Sequence, residues 1–161
     1  MDEQLGEEVL NILNSVGSSI KKCESIQYLT YKSNWLISVE NALEPYHLSV
    51  IHPDSLNELL LEDGTDKIWD WASLWNAPSK NKRISNISKR LKKNIRTSID
   101  INGYWTLFLF PFVQISSTEG LSFAIQTFDP CTESDIEKTN FKTTLYLSLI
   151  HISEPTRPRS I

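Results

Sequence analysis

Cysteine is scarce in this chain: Cys23 and Cys131 are the only two in 161 residues. A pair so widely separated supports neither the disulfide framework of a small secreted domain nor a thiolate zinc site, and it implies a reducing, cytoplasmic setting. Long apolar runs are lacking as well. Nothing approaches the roughly 20 residues that cross a bilayer, and the N-terminus MDEQLGEEVL is acidic where a signal peptide would be basic and then apolar. No membrane partner is expected. A basic excess is also missing, the formal net charge being -4, which argues against a dedicated nucleic-acid binder. The absence of an internal repeat removes solenoids and propellers.

What is present suits one ordinary globular domain, with 40% hydrophobic and 22% charged residues. Leu5, Val9, Leu10, Ile12, Leu13, Val16 and Ile20 recur at helical spacing, and Glu7 and Glu8 complement the helix dipole in the first turn. Ile26 to Lys32 is β-branched and aromatic, which predicts a short strand. Asn34 to His47 returns to a helical pattern through Trp35, Val39, Ala42, Leu43 and Tyr46, and Pro45 and Pro53 predict a kink or an end there. Ser55 to Leu61 predicts another short helical turn before Gly64 and the aromatic cluster Trp69, Trp71 and Trp75.

Lys80 to Arg96 holds eight of the sixteen basic residues, with Ile84, Ile87, Leu91 and Ile95 at helical spacing. This fits a basic amphipathic helix or a solvated loop; Lys89, Arg90, Lys92 and Lys93 either form a solvated face or steer an acidic partner. From Gly103 the chain changes character. The runs YWTLFLFPFVQIS, LSFAIQTF and NFKTTLYLSL, divided by turn residues such as Glu119-Gly120 and Asp129-Pro130, read as antiparallel strands. Helices followed by strands predict an α+β fold. The tryptophans, and Phe108, Phe110 and Phe112, are candidates either for the core or for a cavity wall.

The chemistry is concentrated between Asn34 and His52, where Glu44, Tyr46, His47 and His52 fall within nine residues. Two neutral imidazoles and a carboxylate on one face of an octahedral iron(II) leave positions for dioxygen and substrate, and His47 and His52 can supply the imidazoles. A separation of five residues turns a continuous helix by about 500°, leaving the side chains roughly 140° apart. A shared site therefore requires the helix to end between them. Histidines near a helix end are commonly surface or core residues, but Glu44 lies three residues before His47, on the same helical face, where its carboxylate can orient the imidazole or relay protons and electrons.

In their order and spacing, Asn34, Trp35, Glu40, Asn41, Glu44, Tyr46, His47, His52 and Pro53 resemble the iron-binding signature of the α subunit of aromatic-ring-hydroxylating Rieske oxygenases. YWTLFLFPFVQISSTEGLSFAIQTFDP is similar to that family's strand pair beside the substrate cavity, so the likeness runs from about Leu5 to Tyr146. Leu36 departs from the family's usual lysine after Asn-Trp. The resemblance implies a helix-grip (START-like) α+β catalytic domain with an antiparallel sheet. It implies that His47 and His52 are metal ligands to mononuclear Fe(2+), and that Glu44 is a catalytic bridge to the Rieske cluster of a neighbouring subunit.

The implied reaction is dioxygen activation to hydroxylate or demethylate an organic, aromatic substrate. Electrons would come from a ferredoxin or reductase through a 2Fe-2S cluster, in a homo-trimer or hetero-hexamer. The family's Cys-x-His and Cys-x2-His cluster ligands do not occur in this chain, and its third, carboxylate iron ligand comes from a late helix beyond the strands. Asp129, Asp135 and Glu137 are expected in an inter-strand turn and make poor substitutes.

The expectation is therefore a fragment truncated at both ends, with Met1 an internal methionine. LSLIHISEPTR, from Leu147 to Arg157, resembles a translated transposase-type sequencing adapter. This divides the chain into a partial catalytic domain at 1–146 and an adapter-derived tail at 147–161, in which His151 has no functional standing. Two other readings compete. One is a non-catalytic ligand-binding module of the same fold, and the other is a scaffold that binds a partner through the basic helix.

Overall fold

The computed structural model describes residues 2–53, 56–59, 61, 63–93, 99–132 and 135–148. Its β-branched and aromatic C-terminal half forms successive antiparallel strands, β4 (Tyr104–Leu109), β5 (Val113–Thr118), β6 (Ser122–Thr132) and β7 (Asp135–Leu147). The run predicted as one strand around Phe110 is two, because Phe110 to Phe112 form the turn between them and Pro111 has no N–H for a ladder. Three further strands complete one sheet: β1 (Lys22–Tyr31), β2 (Thr65–Ile68) and β3 (Ala72–Ala77). The spatial order is β1-β7-β6-β5-β4-β3-β2, every neighbouring pair being antiparallel.

Alternation along the strands gives the sheet two different faces. On one, Trp105, Leu107, Ile115 and Phe123 are buried against α1 (Asp2–Ser19), whose Val9 and Val16 enter the same core with Leu5, Ile12, Leu13 and Ile20 packed around them. The helical periodicity of that segment is thus the imprint of its burial. Gly6 breaks the helix with φ 75°, so Glu7 and Glu8 do lie at the start of the regular turns. On the opposite face α2 (Trp35–Leu43) buries Val39 against Phe108 and Phe128, with Trp35, Ala42, Leu43 and Phe141 around them.

The fold is the expected α+β helix-grip domain, one sheet gripped by helices on its two faces. The basic helix is also present, as α4 (Lys82–Lys92), after the single turn α3 (Leu48–Ile51) and a 3-10 turn at Leu56–Leu59. Asp129 lies on β6, and Asp135 and Glu137 on β7, instead of in a turn, because those two strands extend further than their apolar runs suggest. Ile95 and Arg96 fall outside the described residues, as does the tail beyond Ser148. Among the described residues no helix is long and apolar enough to cross a membrane.

Candidate metal centre and cavity

Local sequence dictates where α2 begins and ends. Asn34 caps its N-terminus, the side-chain oxygen accepting from the Leu36 N–H at 2.9 Å. At the other end Pro45 forces the preceding residue out of the helical region, and Glu44 is extended at φ -83°, ψ 130°. The helix therefore stops before His47, not between the histidines, and Glu44 and His47 do not share a helical face. A turn brings them together instead. Glu44 Oε2 accepts from the His47 backbone N–H at 3.2 Å, and Glu44 Oε1 accepts from His47 Nδ1.

His47 in turn opens α3, its carbonyl accepting from Val50 (3.0 Å) and Ile51 (2.8 Å), and His52 follows that turn directly. The two imidazoles lie 5.4 Å apart between ring centroids, inclined at 66°. Only 14% of the His47 side chain and 24% of the Glu44 side chain are exposed. A carboxylate acceptor at Nδ1 places a ring proton there, and in the neutral imidazole the lone pair then sits on Nε2. A carboxylate fixing the tautomer and orientation of an imidazole is the usual arrangement behind a metal-binding histidine.

Both rings border a cavity of about 580 Å³ between α2 and the sheet. Its floor carries Tyr104, Thr106, Gln114 and Gln126, and its sides include Trp75, Phe128 and Phe141. Burial raises the Tyr104 phenol above its ordinary pKa, partly offset by a hydrogen bond with Ser116. The tryptophans separate by environment. Trp75 lines the cavity, Trp69 packs on the α1 core and donates to Glu8 at 3.2 Å, and Trp71 is exposed beside Phe110. Tyr46 is 80% exposed and borders a shallow recess with Ile37, Glu40, Leu43 and Glu44.

Gln114, Gln126, Tyr104 and Tyr31 also line the cavity, and no motif marks them. They come from separate strands, and only the register places them on one face. Two imidazoles suit a divalent iron site, and they fit such an ion in part. Among the described residues no group of three or more His, Cys, Asp and Glu side chains is placed to hold a metal.

The class is defined by a helix-grip α+β domain with a carboxylate-oriented histidine and a second histidine in the wall of an aromatic and amide-lined cavity. The chain belongs to the family of ring-hydroxylating α subunits, whose catalytic-domain model matches residues 20–148. Among solved structures it is similar to the quaternary ammonium Rieske monooxygenase CntA in complex with its substrate L-carnitine. That match has a TM-score of 0.67 and 13% identity over 95% of this chain and 37% of the other. The inhibitor complex of CntA gives a TM-score of 0.68 and 13% identity over 94% of this chain and 38% of that one. A further structure, described in terms of carnitine oxidation by gut microbiota and inter-subunit electron transfer, gives 0.64 and 14% over 94% and 38%. This chain thus spans less than two-fifths of the structures it matches. No curated protein matches it significantly.

Proposed function

We propose that this chain is the part of a Rieske-type oxygenase α subunit that carries two of the mononuclear iron's protein ligands, His47 and His52. The observation that supports it most directly is the Glu44–His47 pairing, which occupies Nδ1 and leaves Nε2 free beside a second imidazole in the cavity wall. Iron bound there would supply the activation of dioxygen. The chain's own residues do the rest: Glu44 fixes the His47 tautomer and offers a route for protons or electrons from a cluster in a neighbouring subunit, while α2 and the sheet enclose an organic, aromatic substrate. Hydroxylation and demethylation both use such a site.

In this reading the third ligand is a carboxylate supplied from outside residues 1–146, residues 147–161 are the adapter-derived tail, and a ferredoxin or reductase delivers electrons to a homo-trimer or hetero-hexamer. Genomic sequence upstream should encode the Cys-x-His and Cys-x2-His pairs, and downstream it should diverge at Leu147. In the extended protein, His47→Ala or His52→Ala should abolish iron occupancy. Glu44→Ala should keep most of the iron but lose product in single-turnover assays, because it orients a ligand without being one. Full iron occupancy in both histidine variants would sink the proposal. The second reading is a non-catalytic ligand-binding module that uses the same cavity, and iron content of the extended protein decides between the two.

A further inference from the structure

We propose that the cavity takes an uncharged aromatic molecule bearing a carbonyl or hydroxyl group, and that Gln126 is the specificity-determining residue that hydrogen-bonds it. The inference deepens the reading of this cavity as the substrate site and rests on it. Its first support is charge. Among the described residues no lysine or arginine lines the cavity, and the carboxylate that does, Glu44, is already engaged by the His47 backbone and ring. A ligand carboxylate entering the metal-free cavity would lose its water with no lysine or arginine among the described residues to replace it, which disfavours anions.

Shape and hydrogen bonding narrow the class further. Trp75 and Tyr104 meet at 6.0 Å between ring centroids on one side, and Phe128 and Phe141 at 5.2 Å on the other, so flat aromatic surfaces flank the space. Between them Gln114 and Gln126 stand directly opposite each other on β5 and β6. Their amides are not equivalent. The Gln114 amide nitrogen is spent on the Ala42 carbonyl (3.1 Å) and the Thr106 hydroxyl (3.0 Å). Gln126 is half-buried, lines the cavity, and makes no side-chain hydrogen bond to a described residue. Its atoms are not sealed off, so the amide offers a donor and an acceptor into the open space.

The test uses the 161-residue chain without metal and four probes of similar size: benzamide, toluene, benzoate and phenyltrimethylammonium, with binding followed by NMR titration. Benzamide should bind about tenfold or more tighter than benzoate, and tighter than toluene. Gln126→Leu should remove roughly tenfold of the benzamide affinity, the worth of one good hydrogen bond, and leave toluene within about twofold. Gln126→Glu, the same size, should shift preference toward phenyltrimethylammonium at the expense of benzamide.

Benzoate or phenyltrimethylammonium binding the native chain as tightly as benzamide would overturn the proposal. So would an unchanged benzamide preference in Gln126→Leu, or no binding of any probe. Because no metal is involved, failure here is separable from failure of the oxygenase reading. Selective benzamide binding by a protein whose extended form never holds iron would leave this inference standing and remove the other.

Discussion

The side-chain amide of Gln114, on β5, reaches up from the sheet to donate to the backbone carbonyl of Ala42 at 3.1 Å, in the last turn of α2. Carbonyls in the final turn of a helix have no partner within it, so the sheet supplies this one. The same nitrogen donates to Thr106 Oγ1 at 3.0 Å, fixing its direction. The contact therefore sets the height of the helix end above the cavity floor, and Glu44 and His47 follow from it within five residues of Ala42.

Replacing Gln114 with leucine should thus act on stability and on the site together. It leaves a part-buried carbonyl and the buried Thr106 hydroxyl without this donor, costing about 1–3 kcal/mol. Urea denaturation should show a lower midpoint with an unchanged slope. Gln114→Glu should be at least as costly, since it sets an acceptor against the carbonyl. A native midpoint in Gln114→Leu would mean that the helix end is held by α2 packing alone.

How far the sequence foretells this arrangement depends on how local the cause is. The α1 helix, the basic helix and the strand-rich C-terminal half announce themselves through apolar period and β-branched content, both imprints of burial. His47, His52 and Glu44 are legible because they lie close in the chain. Even so, Pro45 makes Glu44 meet His47 through a turn and not along a helix. β2 is not legible, since its four residues are all exposed and leave no periodic signal, and β3 is obscured among the tryptophans. Nor is Gln126, whose role arises from the register of β5 and β6.

Gly64 has no side chain because Trp75 occupies the space: a Cβ there would land within the indole ring. Trp75 is also a cavity wall, so Gly64→Ala should move it. The expected result is a shifted tryptophan emission spectrum, altered benzamide affinity and a loss of about 1–3 kcal/mol from overpacking. Gly17→Ala is the contrasting control. Its Cβ would meet nothing within 4 Å, and in the helical α1 it should stabilise by roughly 0.5–1 kcal/mol.

Glu119 joins α4 to the β5–β6 turn. It is 3% exposed and adopts φ 57°, with Ser88 Oγ donating to its Oε2 at 3.0 Å and the Lys92 ammonium at 3.8 Å. Lys92 also donates to the Ile101 carbonyl, so one buried carboxylate organises the helix and the loop beside it. Glu119→Ala should cost about 1–3 kcal/mol, discounted from a fully buried pair because Lys92 is 21% exposed. A double-mutant cycle with Lys92→Met should give a coupling above about 0.5 kcal/mol. Additive effects would show that Ser88, not Lys92, is the partner that matters.

Tyr104 makes an alkaline prediction whose sign follows from burial. Desolvation in the cavity floor disfavours the phenolate and raises the pKa above the ordinary phenol value, while the Ser116 hydrogen bond pulls the other way. Once the pH passes about 10, the unfolded chain releases a proton that the folded chain retains, so the folded state loses stability as pH rises through that window. Below it the contribution is fully present. Tyr104→Phe keeps the ring and removes the titration. At pH 8 it should lie within roughly 1 kcal/mol of the native protein, the worth of one hydrogen bond. Between pH 9.5 and 10.5 the native protein should lose stability faster than the variant in urea denaturation. A difference between the two that stays constant across this range would show that the phenol is not held neutral by its surroundings.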